Sequence, residues 1–105
     1  MLESSIVVGG CTPRFVKLCS DAAVSVRCAV RGSSLQDLST AVARYRPLVI
    51  VLRADAYRIR RADYDERAVD VKAVILAVPS ELIDTEELEG LLMSAVAEAQ
   101  RKRAK

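Results

Sequence analysis

A chain of 105 residues suffices for one domain that buries roughly 65% of its unfolded surface without disulfides or metals. Its 16 basic and 14 acidic residues are mostly interspersed and leave a net charge of +2, which excludes the one-sided balance of a dedicated nucleic-acid binder. With no histidine, the commonest zinc ligand and general acid or base are absent, and three cysteines at 11, 19 and 28 lack metal-ligand spacing, so reduced thiols and no metal site are expected. Apolar runs reach about six residues, far short of the roughly 18 that span a bilayer. The opening M-L-E-S-S has no basic start of a signal peptide, so a cytoplasmic location away from membranes is expected.

Strand and helix signals alternate along the chain. Ser5, Ile6, Val7 and Val8 form a short β-branched run stopped by Gly9 and Gly10. Thr12 then offers a cap and Pro13 a first helical residue, with Phe15, Leu18, Cys19 and Ala22 on one face of the helix that follows. Val24, Val26, Cys28 and Val30 alternate with Ser25, Arg27 and Ala29, which predicts an edge strand over 24–30. Residues 31–34 read as a turn. Ser34 and Asp37 have capping-box-like spacing ahead of a second amphipathic helix carrying Leu35, Leu38, Val42 and Tyr45.

The run R-P-L-V-I-V-L-R at 46–53 anchors the reading. Its five apolar residues, 48–52, do not alternate, so both faces of the strand must be covered, as in a parallel sheet flanked by helices. The polar break at Arg53 marks the carboxyl end of that strand, where ligands usually sit in open α/β sheets. Over 53–70, ten of eighteen residues are charged, five of each sign, and at most one short helix is expected. Residues 73–78 form a fourth strand closed by Pro79. Leu88, Leu91, Leu92, Ala95, Val96 and Ala99 make a helical stripe preceded by acidic residues and ended by basic ones, an order that suits the helix dipole. No repeat or linker interrupts the pattern, so residues 1–105 are read as a single α/β domain.

From residue 5 to about 78 the chain resembles a bacterial response-regulator receiver domain, most closely over R-G-S-S-L-Q-D-L-S-T-A-V-A-R-Y-R-P-L-V-I-V-L. The resemblance implies a three-layer, flavodoxin- or receiver-like open parallel sheet of about four strands, in order 2-1-3-4, flanked by helices. Receivers hold Mg²⁺ with an acidic pair after the first strand and accept a phosphoryl group on an aspartate ending the third. Here Gly9 and Gly10 replace the acidic pair and Arg53 stands at the acceptor position, while Ala77 and Val78 end the fourth strand without a Ser or Thr. A hard dication needs clustered oxygen ligands, and Arg53 offers none. The resemblance therefore implies a pseudo-receiver: a non-catalytic signalling and protein-docking module that works without phosphorylation or a cofactor. Asp55 is the one displaced acceptor to weigh.

Further residues offer sites of other kinds. Gly9, Gly10, Cys11 and Thr12 join the first strand to the first helix, where glycines permit close approach and helix amides attract anions, although a tight structural turn explains them as well. Cys11, near that helix start and Arg14, has a setting in which thiolates are favoured. Its position is similar to the cysteine of phosphotransferase IIB domains, so the alternative function is a small anionic-ligand-binding or phosphoryl-carrier protein acting through the loop 9–14. Arg53, Arg58, Arg60 and Arg61, with Tyr57 and Tyr64, form an anion- or base-binding set unless Asp55, Asp63, Asp65 and Glu66 pair with them. Finally, in the order 2-1-3-4 the apolar fourth strand is an edge that water should not see. Its Ala73 and Val74, with Leu88, Leu91, Leu92 and Val96 of the last helix, are the expected interface with a protein partner or a second copy.

Overall fold

A computed structural model of the chain describes residues 4–104; Lys105 of the basic C-terminal cluster and the first three residues lie outside them. β1 (Ser5–Gly9), β2 (Ala29–Ser33), β3 (Val49–Arg53) and β4 (Val74–Val78) form one all-parallel sheet in the order β2-β1-β3-β4. This is the flavodoxin-like arrangement. The pleat explains why the central strands have no polar side. Ile6, Val8, Val49 and Val51 point to one face and pack with Phe15 and Cys19 of α1 (Pro13–Ala22) and Leu88, Leu92 and Val96 of α5 (Thr85–Arg103). Val7, Ile50 and Leu52 point to the other face, where Leu38 and Val42 of α2 (Leu38–Tyr45) and Ala68 and Val71 of α4 (Arg61–Val71) cover them.

Three expectations are corrected. The second strand is not 24–30: residues Val24–Val26 form a 3₁₀ turn, Arg27 takes a left-handed φ of 56°, and pairing with β1 starts at Ala29 opposite Ser5. Val24 is 74% exposed, while Val26, Cys28 and Val30 are half-buried against the core without forming a strand over 24–28. Nor are 31–34 all turn, since Arg31, Gly32 and Ser33 belong to β2. Gly32 suits that position because a Cβ would lie 3.1 Å from a methyl of Val16, a tight approach where α1 crosses the edge strand. Ser34 does bond to Asp37, its Oγ accepting from the Asp37 amide at 3.1 Å, yet the regular helix opens only at Leu38.

The third correction concerns 53–70, which holds two helices, α3 (Ala54–Ile59) and α4. α4 presents only Tyr64, Ala68 and Val71 to the sheet, spaced i, i+4 and i+7, a stripe too narrow to stand out among ten charges. The sheet has no fifth strand among the described residues, and after β4 the chain turns through 79–84 into α5. No helix among the described residues is long and apolar enough to cross a membrane.

Candidate functional site at the carboxyl end of the sheet

β1 and β3 deliver the loop 9–12 and Arg53 to the same end of the sheet, and the loop after β4 brings Glu81 to meet them. Arg53 grips Asp55 with a two-pronged fork, Nε to Oδ1 at 3.1 Å and Nη2 to Oδ2 at 2.6 Å, the planar match that guanidinium and carboxylate favour. Its third nitrogen, Nη1, reaches Glu81 Oε2 at 3.3 Å. Glu81 Oε1 in turn accepts from both the amide and the hydroxyl of Thr12, each at 2.8 Å. One arginine thus ties the loops after β1, β3 and β4 together.

Glu81 takes the place an anion would take. Thr12 is the N-cap of α1, its Oγ1 accepting from the Phe15 amide at 3.3 Å, and Pro13 has no amide to give. A carboxylate on the Thr12 amide is therefore the chain's own ligand for the helix start. The titration behaviour follows. The two bonds from Thr12, with help from Arg53, hold the Glu81 carboxyl below its ordinary range, and the Arg53 fork does the same for Asp55. Hydrogen bonds to those two carboxylates push the Arg53 guanidinium further up.

Gly9 and Gly10 are explained by packing. A Cβ on Gly9 would lie 3.0 Å from both Leu38 and Leu52, and on Gly10, where φ is +67°, it would lie 2.5 Å from Leu35 Cγ. Cys11 does not have the activated thiol its position suggests. Burial first, then the Glu81 charge, push its pKa up to about 11, and its Sγ makes only a long contact of 3.5 Å to the Gly9 carbonyl. Gly10 and Cys11 also border an open groove of about 1010 Å³ between α1 and β2, lined by Val16, Val30 and Gly32.

The remaining predicted residues are dispersed. Arg58 is exposed on α3 and makes no ion pair among the described residues. Arg61 pairs with Asp65 at 3.7 Å and lies 5.8 Å from the Tyr57 ring, while the Tyr57 hydroxyl donates to Asp65. The expected internal pairing is therefore met by Asp55 and Asp65, and among the described residues Asp63 and Glu66 form no ion pair. Of the interface set, Ala73, Leu88, Leu92 and Val96 are buried in the chain's own core, leaving Val74 and Leu91 half-buried.

Sequence reasoning missed Glu81. The rule that sites gather beyond strand ends was applied after β3 and not after β4, where Ser80 and Glu81 follow the strand-closing Pro79. Among the described residues no cluster of three or more carboxylate or thiol side chains could hold a metal ion. At the carboxyl ends of β1 and β3 the chain offers glycines and an arginine already committed to two carboxylates, a donor set that does not suit a hard dication. No family model, curated protein or solved structure matches the chain.

Proposed function

We propose that this chain is a non-catalytic signalling module of pseudo-receiver type that binds a protein partner independently of phosphorylation. The observation that carries the reading is the Arg53 bridge to Asp55 and Glu81 at the carboxyl end of the sheet. A receiver switches when a phosphoryl group arrives beside a metal at this end; here a guanidinium already bridges two carboxylates at that end of the sheet. Asp55 is held in the fork, which speaks against its serving as a displaced acceptor. The phosphoryl-carrier alternative through Cys11 has less support, because a thiol raised to about 11 is a poor nucleophile at neutral pH and Glu81 sits beside it as a like charge to phosphate. Incubation with acetyl phosphate and Mg²⁺ should leave the intact mass unchanged; a stable phosphoryl adduct on Asp55 or Cys11 would overturn the reading.

The partner surface we favour is the open edge of β4. Residues 73–78 contain no charge and no proline, and Val74, Ile75 and Leu76 stay only partly covered by the chain itself. A strand or helix added there, from a partner or from a second copy, would meet Val74. The burial of Leu88, Leu92 and Val96 confines the contribution of α5 to its flank at Leu91. Light-scattering mass across a dilution series should rise towards a dimer with concentration if the second copy is the occupant. A constant monomer mass, with the amides of β4 protected from exchange, would rule out self-association.

A further inference from the structure

The opposite end of the sheet carries a second feature, independent of the reading above. Arg31 of β2, Arg44 of α2, Arg46 at the α2–β3 junction and Arg103 at the end of α5 line one concavity of about 410 Å³, together with Tyr45 and Ser4. Among the described residues none of the four arginines has a carboxylate within ion-pairing distance. Most arginines of the chain lack an ion pair among the described residues; what sets these four apart is that they line one concavity.

The guanidinium groups are held in place without using up their donors. Arg31 stacks on the Tyr45 ring at 4.6 Å and Arg44 approaches it at 5.5 Å; a stacked guanidinium keeps its in-plane N–H groups for another acceptor. Arg103 is anchored by three backbone carbonyls, of Arg46, Pro47 and Val71, all accepting from Nη2, so that these bonds leave Nε and Nη1 unused. Arg46 adopts a left-handed φ of 45°, a strained choice for a non-glycine residue. Burial and the nearby Arg46 charge both lower the Arg103 pKa, as expected where like charges lie close without an anion between them.

We infer that this concavity binds an oxyanion ligand bearing a phosphate or pyrophosphate group. A carboxylate has two oxygens for one or two forks, whereas a phosphate dianion presents three terminal oxygens and a second charge, better matched to a concavity lined by four arginines. The volume is that of many water molecules at ~30 Å³ each, so it admits more than one phosphate or a phosphate with a sugar attached. The two sources, condensed phosphate and a nucleoside diphosphate, share this chemistry.

The test is a titration of the whole ¹⁵N-labelled chain with sodium pyrophosphate and, separately, with ADP at fixed ionic strength. Saturable shifts are expected at the amides of Ser4, Ala29, Arg31, Arg44 and Arg46, and none at Thr12 or Arg53. Arg46→Gly removes one guanidinium while suiting the backbone, and Arg44→Gln removes another from an exposed helix position; each should weaken binding roughly tenfold. Tighter binding of ADP than of pyrophosphate assigns the ligand to the nucleotides, and equal binding assigns it to the phosphate group alone. Shifts that fail to saturate, or two well-folded variants that bind pyrophosphate as tightly as the parent, would overturn the inference.

Discussion

On the pseudo-receiver reading proposed above, Arg53 stands where an acceptor aspartate would act, and reversing the charge there reverses the local logic. In place of an acid awaiting a cation, the chain has a cation satisfied by two acids, one of which also closes the N-terminus of α1. That arrangement has a definite pH signature. Glu81 is held below its ordinary value of 4.5 by the Thr12 donors, so its folded form binds fewer protons than its unfolded form at mildly acid pH. The stabilisation it gives is therefore complete above about 4.5 and is lost as pH falls through the lower, folded value. The Thr12 amide resonance should titrate with a midpoint below 4.5; a midpoint at or above 4.5 would contradict the bridge. The position of Arg53 was legible from the sequence because a five-residue apolar run ends at it. Its partner Glu81 was not, because nothing local in P-S-E-L points across 28 residues to β3.

Elements were read best where both faces or one whole face are buried. β1, β3 and α5 lie where their apolar runs and stripe placed them, since burial and sequence pattern agree there, and β4 lies at its apolar run although only Val78 of it is fully buried. β2 was misplaced because Val24, Val26 and Cys28 alternate by chance through a 3₁₀ turn, while the true edge strand includes an exposed Arg31 and Gly32. α4 was missed for the converse reason, three inward residues diluted by charge. The helix ends share a further trait: α2 and α4 are capped by left-handed Arg46 and Lys72 where glycine would be the relaxed choice. At Lys72, with φ 56°, glycine would relieve about 1–2 kcal/mol of backbone strain but forfeit about 0.5–1 in chain entropy and a few tenths in dipole pairing. Lys72→Gly should accordingly gain roughly 0.5 kcal/mol, a rise in Tm of roughly 3 °C for a domain of this size. An unchanged or lower Tm would mean that the Lys72 side chain contributes more than its exposure indicates.

At the scale of the whole molecule the two ends of the sheet differ. Helices in this arrangement start at the carboxyl end of the strands and finish at the other. α5 accordingly opens beside Glu86 and Glu87 and closes on Arg101, Lys102 and Arg103. The loops that enter β2, β3 and β4 carry Arg27, Arg46 and Lys72, so basic residues recur at one end while Arg53 meets two carboxylates at the other. The sequence showed this charge only as a total of +2, because segregation depends on the fold that brings Arg31, Arg44 and Arg103 together. The carboxyl end is where the central claim is decided. Backbone amide spectra should be recorded with Mg²⁺ before and after adding beryllofluoride, which mimics a phosphoryl group on a receiver acceptor. The account predicts that Gly9, Gly10, Thr12, Arg53, Asp55 and Glu81 do not move, whereas saturable shifts at these residues would contradict it.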